Sequence, residues 1–551
     1  VRGRALAGTL AAVLLALAAP IPAGAGSLPR LTRPVRITTG DTTPTRTYSS
    51  PAIAIDPENE DNVVAAYAEM RTARCGLARS RDGGRTWTRV RSSPALASYP
   101  FCFTPASTNV HQAQLAFGRN HVLYLALPGW DVQDGRSFSV LLARSADLGE
   151  TWSTTLVRDA RGREAEPESN RPVASIAVDP RGPEDVVYVG WTWGQPVPPA
   201  PTRAPVPAVA VSTDGGRTFS EPIDLTAGLF HDEERRRAAI SGQPEVMPPG
   251  FPPPTPRDAI TAQHLGGLNP AVVLDRRGTV YALWSIASVN VLPGFMRSFY
   301  LSRSTDQARS FTVRQVVPPS PTMGNPALSW SPAGGTDGTL HLVYEDKRPP
   351  VQGDRDIVYQ RSLDGGETWS APVTLNDDDP AGLAAQFMPS LSVAPDGRVD
   401  VAWWDFRNDT GAFLNDVYLA SSADNGATWG PNIRVSDRAI DRKIGPWSNG
   451  FDVRQPVGLA ATRRYTLAAW DDTRNGDLDG QAQDLVAAYI QFRPLPPGTP
   501  PVLVFGFAAV VGLMLAGTVV WAVALRSRRP GRRGPDRTEA ANPAVMASPS
   551  T

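Results

Sequence analysis

The sequence predicts an all-β fold: a β-propeller of four-stranded blades, seven in number, joined to one C-terminal transmembrane helix. Three observations predict it. An eight-residue pattern, Ser-x-Asp-x-Gly-x-Thr-Trp, recurs along the chain. Alternating runs of strand length precede every copy. A charge-free apolar stretch follows the last repeat. Repeats of about fifty residues or more with strand-like flanks indicate propeller blades.

The pattern first occurs at Ser80-Arg81-Asp82-Gly83-Gly84-Arg85-Thr86-Trp87. It returns at Ser145 to Trp152, Ser212 to Phe219, Ser362 to Trp369 and Ser422 to Trp429. A worn copy runs from Ser304 to Phe311, with Ala308 replacing glycine and Ser310 replacing threonine. The starts lie 65, 67, 92, 58 and 60 residues apart. Two strand signals precede each copy, one of them often led by proline. Pro51-Ala52-Ile53-Ala54-Ile55 followed by Val63-Val64-Ala65-Ala66-Tyr67 is the first such pair. Period-two alternation bounded by Asp, Gly and Pro reads as strand, turn, strand.

These signals give seven units, beginning near Pro51, Gln112, Val173, Pro270, Pro326, Leu391 and Val457. The seventh ends in Asp484 to Ile490 and has no fourth strand of its own. Val35-Arg36-Ile37-Thr38-Thr39 resembles Ile433-Arg434-Val435-Ser436, the fourth strand of unit six. An N-terminal strand completing the last blade would leave no open edge. The rival count is a six-bladed ring with an accessory hairpin.

The repeat resembles the Asp-box, or BNR repeat, of sialidases and their relatives, over roughly residues 35 to 493. Its aspartates Asp82, Asp147, Asp214, Asp306, Asp364 and Asp424 read as structural, each accepting hydrogen bonds from its own turn. The glycine permits a positive φ, and the aromatic packs between neighbouring sheets. The boxes lie in turns between the third and fourth strands. Function is therefore expected on the opposite face, where sialidases hold substrate. The family's enzymes use three arginines, a Tyr–Glu nucleophile pair and an acidic proton donor. Their first arginine belongs to a Tyr/Phe-Arg-Ile-Pro motif. Here the register gives Tyr48-Ser49-Ser50-Pro51, so Ser49 stands at the arginine position. Serine cannot make the bidentate contact of a guanidinium.

On the face expected to carry function, four second strands end in aromatic-x-acid-x-Arg. They are Tyr67 to Arg71, Tyr344 to Arg348, Trp403 to Arg407 and Trp470 to Arg474, in units adjacent around a closed ring. Glu69, Asp346, Asp405 and Asp472 are the candidate catalytic carboxylates. Arg71, Arg348, Arg407, Arg474, Trp403, Trp470 and Tyr344 are the candidate ligand-binding residues. Carboxylates, arginines and aromatics together suit sugars or acidic ligands. The competing reading is that each acid–Arg pair ties down its own loop. Units two to four offer Trp130, Trp191, Trp193 and Trp284 instead. The insertion 227–267 reads either as a lid or as a disordered loop. The five histidines show no metal-ligand spacing. Asn475 to Gly480 has the look of a calcium loop without its glutamate, and reads better as a solvated turn. The reading includes no metal and no cofactor.

Residues 1–25 read as a secretory signal, with Arg2 and Arg4, an apolar stretch and Ala23-Gly24-Ala25 as cleavage site. An uncleaved anchor is the alternative. Residues 494–500 form a Pro-rich spacer. Residues 501–525 carry no charge and, at about 1.5 Å per residue, span a bilayer core of about 30 Å. Arg526, Arg528, Arg529, Arg532, Arg533 and Arg537 follow at once and place the tail 526–551 in the cytoplasm. The whole chain has zero formal charge. Excluding the signal (two Arg) and the tail (six Arg, one Asp, one Glu) leaves the remainder at −6, which argues against nucleic acid. Cys75 and Cys102 are expected to pair as a disulfide in an exported domain, with two free thiols as the alternative. Abundant Arg, Ala, Pro and Gly beside only two lysines suggest a bacterial, GC-rich source. Function then divides between a surface module binding a glycan or an extracellular protein and an exo-acting glycoside hydrolase. Fold alone does not separate these.

Overall fold

The computed structural model describes residues 29–72, 74–90, 114–130, 137–159, 175–196, 203–226, 270–291, 294–320, 324–331, 338–346, 355–379, 384–409, 413–445 and 456–492. The signal, the insertion 227–267, the spacer, the span 501–525 and the tail lie outside them. So do Cys102 and Arg348. Cys75 is buried in its strand, and its pairing with Cys102 stays an expectation. Among the described residues no helix is long and apolar enough to cross a membrane. The chain divides into two compact units, 1–493 and 494–551.

The described part of the first unit is a seven-bladed propeller of antiparallel blades. Blade 1 is built from Tyr48–Ile55, Val63–Glu69, Arg74–Ser80 and Thr88–Val90. Blade 2 uses Gln114–Phe117, Leu123–Trp130, Ser137–Ser145 and Ser153–Asp159. Blade 3 uses Ser175–Asp179, Val186–Pro196, Arg203–Ser212 and Ile223–Asp224. Blade 4 uses Ala271–Leu274, Val280–Val291, Gly294–Ser304 and Thr312–Ser320. Blade 5 uses Gly324–Ser331, Thr339–Asp346, Asp356–Ser362 and Val373–Thr374. Blade 6 uses Gln386–Val393, Val399–Asp405, Leu414–Ser422 and Ile433–Arg434. Blade 7 begins with Gly458–Ala461, Tyr465–Asp472 and Asp484–Gln491. Each first strand contacts the first strands of both neighbouring blades, and that of blade 7 contacts that of blade 1. The first strands are therefore innermost, and the ring closes at seven.

The fourth strand of blade 7 comes from the N-terminal end, in two short pieces. Arg30 and Leu31 pair with Gln491 and Ile490, and Val35 and Arg36 pair with Ala487 and Val486. Pro34 lies in the interruption, and proline has no N–H to give a ladder. The pairing continues from Ile37 N to Leu485 O at 2.8 Å.

The Asp-boxes are clasps of one design. In blade 1, Asp82 Oδ1 accepts from Arg85 N at 3.0 Å and Thr86 N at 2.9 Å, and Oδ2 accepts from Thr86 Oγ1 at 2.6 Å. Ser80 Oγ donates to Asp82 at 2.6 Å and accepts from Gly84 N at 2.8 Å. Asp147, Asp214, Asp306, Asp364 and Asp424 each accept from the matching Thr or Ser N–H. In the worn copy the Ser310 and Ser304 hydroxyls lower Asp306 to about 2.

Each clasp also plugs into the preceding blade. Gly366 has φ +90°, and a Cβ there would lie 2.3 Å from Leu301 of blade 4. At Gly426 it would lie 1.8 Å from the Tyr359 hydroxyl of blade 5. Ala308 takes the same position in the worn copy, fully buried at φ 65°. Gly366→Ala is expected to cost about 2–4 kcal/mol, from a left-handed residue and a crowded seam. Ala308→Gly should cost next to nothing. Paired denaturation midpoints test this, and equal midpoints for Gly366→Ala and the parent chain would remove the plug from the account.

Candidate functional site

The face opposite the Asp-boxes is formed by loops leaving the second strands and entering the first. Period-two geometry places Trp403 and Asp405 on one side of their strand and Trp470 and Asp472 on one side of theirs. In this fold both sides of a strand meet neighbouring blades. Trp403 and Trp470 are fully buried and Tyr344 nearly so. This corrects their expected role: they are core residues, not a ligand-binding surface. Trp403 Nε1 donates to Asp405 Oδ2 at 2.8 Å, and the Tyr344 hydroxyl donates to Gln360 Oε1 at 3.0 Å. Trp191 and Trp284, expected on the other half of the face, are buried as well. Only the backbone of Trp130 and Trp193 is described.

Two of the four acid–Arg pairs, Asp405–Arg407 and Asp472–Arg474, are loop braces. Asp405 is buried and accepts from Arg407 N at 2.8 Å, Arg407 Nε at 3.0 Å and Gln386 Nε2 at 3.3 Å. The same guanidinium reaches Asp377 at 2.6 Å and Asn432 at 3.0 Å. Asp472, also buried, accepts from Arg474 N at 2.9 Å and Nε at 2.7 Å, while Arg474 Nη2 reaches Asp437 at 2.6 Å. Both guanidiniums are engaged by carboxylates. Each joins its own second strand to the connection from the preceding blade. Glu69 departs from the pattern. It pairs with Arg89 at 3.1 Å and accepts from Thr72 Oγ1 at 2.7 Å, while Arg71 is exposed. Asp346 accepts from Ser320 Oγ at 3.0 Å. Arg348 lies outside the described residues.

Sequence reasoning missed a second row of acids. Asp356, Asp416 and Asp484, at or near the start of the third strands, are the Cα partners of Asp346, Asp405 and Asp472. Like charges directly opposite are destabilising unless compensated. Asp416 is compensated by Arg434 at 2.8 Å. Asp484 is compensated by Arg36 at 2.7 Å and Arg46 at 2.9 Å. The signal was present as Asp followed by apolar pairs in Asp356-Ile357-Val358, Asp416-Val417-Tyr418 and Asp484-Leu485-Val486.

It also missed what stands at the inner-strand mouths. The first strands of blades 1 and 6 slip register between Ser49 and Ala52 and between Phe387 and Ser390. Ser50 at φ 59° and Met388 at φ 54° take left-handed conformations immediately before a proline. Non-glycine residues hold such conformations only where their surroundings impose them. A carboxylate from the preceding blade stands against each bulge. Glu345 Oε1 accepts from Met388 N at 2.6 Å, and its Oε2 pairs with Arg355 at 2.7 Å. At the seam of blades 7 and 1, the buried carboxyl of Asp471 accepts from Ser49 Oγ at 2.8 Å and from the Ser50 backbone. Burial pushes Asp471 up to about 7, against the opposing pull of Ser49, Ser50 and Arg442.

Around the same rim, Phe387 and Phe406 stack at 5.4 Å with the Arg442 guanidinium 5.1 and 5.2 Å from their rings. Phe413 is half-exposed beneath Lys443 at 4.1 Å. The turn at 475–480 is closed by Asp477 Oδ1 accepting from Asp479 N at 3.0 Å. Among the described residues no group of three His, Cys, Asp or Glu is placed to hold a metal ion.

No protein-family model and no curated protein matches the chain. Solved structures do resemble it. One is the alpha-L-arabinanase of Penicillium chrysogenum complexed with arabinobiose, at 15% identity over 68% of this chain and 94% of that one, TM-score 0.39. Another is the Hadza microbial sialidase Hz136, at 15% identity over 78% and 73%, TM-score 0.39. A third is the GH74 xyloglucanase of Xanthomonas campestris, at 15% identity over 83% and 55%, TM-score 0.42.

Proposed function

We propose that this chain is an exported, membrane-anchored module that binds glycans on the face opposite its Asp-boxes, without turning them over. The observation that carries the reading is the engagement of the candidate carboxylates. Asp405 and Asp472 are buried in ion pairs with Arg407 and Arg474, and Glu69 is held by Arg89. Two carboxylates flanking a scissile bond must be accessible and differently protonated, and these serve the architecture. What the face still offers is the rim of Phe413, Lys443 and Arg442. Such a mixture of apolar and polar groups suits sugar rings. The anchor rests on the charge-free run 501–525 and the six arginines behind it.

The test is a fluorogenic glycoside screen of the full chain, purified in a detergent without a sugar headgroup, beside a glycan array. Retained glycans with no turnover are the expected result. One observation favours the hydrolase reading instead: a carboxyl poised at about 7 is suited to holding a catalytic proton. Turnover that Asp471→Asn abolishes while binding persists would establish that reading.

A further inference from the structure

We propose that Phe413 and Lys443 form a subsite for a tetrahedral oxyanion, a sulfate or phosphate ester, carried on the sugar that the glycan-binding face receives. This rests on the binding role proposed above.

Among the described residues five large apolar side chains are strongly exposed. Three of them, Phe413, Leu414 and Leu478, lie where the second strands of blades 6 and 7 lead into the third. Single exposed apolar residues need no explanation, but a grouping on the face opposite the Asp-boxes does. The connection 438–445 is stitched to both of these loops. On the blade 6 side Leu414 and Asn415 pair with Asp441 and Ile440, and Arg442 N donates to Phe413 O at 2.9 Å. On the blade 7 side Asp441 N donates to Thr473 Oγ1 at 3.0 Å, and Gly445 N to Gln481 Oε1 at 2.6 Å. Asp409 Oδ2 accepts from Phe413 N at 2.8 Å and Leu414 N at 2.7 Å. Phe413 is thus half-exposed on a backbone held at both its N–H and its carbonyl. A contact group held in place beforehand loses little freedom on binding.

The Lys443 ammonium lies 4.1 Å from the centroid of the Phe413 ring. The negative face of an aromatic ring attracts a cation without cancelling its charge. Lys443 is exposed, and among the described residues no carboxylate pairs with it. The braced arginines beside it differ, since Arg407 and Arg474 are each closed on two carboxylates. A planar carboxylate is matched by a guanidinium fork, whereas an ammonium is a point charge with three rotatable donors. Lys443 therefore suits an ester oxyanion, whose terminal oxygens accept in any orientation. On the other flank Asp477 and Asp479 are exposed beside Leu478 and repel an anion, which directs the oxyanion to the blade 6 side. The C–H surface of the sugar then meets the exposed part of the Phe413 ring.

The experiment measures affinities of the full chain for an oligosaccharide series in which each member is present unsubstituted, O-sulfated, O-phosphorylated and as its uronate. The sulfated or phosphorylated members should bind about tenfold tighter than the unsubstituted ones, and the margin should shrink as salt rises. Whichever ester binds better names the source of the oxyanion. Lys443→Gln should abolish the margin and leave unsubstituted sugars bound. Lys443→Arg should keep it, and so should Arg438→Gln, which removes the neighbouring exposed cation. Phe413→Ala should weaken ester-bearing and unsubstituted members alike. A margin that survives Lys443→Gln overturns the subsite, and a uronate bound as tightly as the esters overturns the choice of a tetrahedral anion. Unsubstituted sugars bound as tightly as the esters overturn the subsite alone. Retention of no sugar at all overturns the binding role, and the subsite with it.

Discussion

Replacing Asp484 with alanine is expected to cost about 3–5 kcal/mol and to open the ring at the seam where the N-terminal segment completes blade 7. Asp484 is buried at the start of the third strand of blade 7. It accepts from Arg46 Nε and Nη2, both at 2.9 Å, from Thr38 Oγ1 at 3.2 Å and from Asn475 Nδ2 at 2.9 Å. Arg36 adds a contact at 2.7 Å. Arg36, Thr38 and Arg46 all belong to the N-terminal segment that supplies the blade's outer strand. Alanine leaves two guanidiniums without their counter-charge, that of Arg46 only 10% exposed. Removing one partner of a buried pair is costly because the other charge remains. The strand Asp484–Gln491 then becomes an unpaired edge, prone to association. Asp416→Ala is the control. It occupies the same register in blade 6, but its partner Arg434 is 42% exposed and the outer strand is joined by continuous chain. Its loss should be the smaller. Denaturation midpoints and amide exchange across 485–490 read the difference. Unchanged protection of those amides in Asp484→Ala would separate the ion cluster from ring closure.

The ring was legible because its devices are local or periodic. The Asp-box is eight residues, its hydrogen bonds run within it, and Ser, Asp, Gly and Thr keep their places in nearly every copy. The closing strand was legible because Val35-Arg36 repeats the pattern of Ile433-Arg434. The site was less so. An aromatic beside an acid at a strand end suggests a binding surface only if one side of the strand is open. Here Trp403 and Trp470 face a neighbouring blade, and burial on both sides erases the alternation that would have shown it. Ser49 and Asp471 are 422 residues apart and meet only when the last blade returns to the first. The doubled acid Asp471-Asp472 was visible. Which of the two is neutralised by Arg474 depends on the side of the strand each occupies.

Stability between pH 7 and 5 is expected to be nearly flat in the parent chain and to tilt in opposite directions in two single variants. His341 is fully buried, and burial, with Arg361 nearby, lowers it to about 3. Its Nδ1 lies 2.7 Å from the Tyr359 hydroxyl, and a hydrogen bond with Asn425 opposes the shift without offsetting it. Below its ordinary value of 6.5 the unfolded chain binds a proton that the folded chain refuses. Stability from this group is therefore lost as pH falls, by about 2 kcal/mol between pH 7 and 5. Asp471 acts the other way. Its folded value of about 7 stands above the ordinary 3.8, so the folded chain takes up a proton that the unfolded chain does not. Stability from Asp471 is gained over the same interval, by about 2 kcal/mol. His121, raised by its hydrogen bond to Asp56, is largely solvent-facing and adds a weak contribution of the same sign as Asp471. The Asp-box carboxylates are lowered from 3.8 and titrate below this window. His341→Gln should accordingly gain about 2 kcal/mol as pH drops from 7 to 5, and Asp471→Asn should lose about as much. The double variant should again be flat, since the two groups lie in different blades and share no partner. Denaturation midpoints at pH 5, 6 and 7 for the four proteins measure the slopes directly. Parallel slopes in parent and Asp471→Asn would mean that the carboxyl is ionised in the folded chain at pH 5.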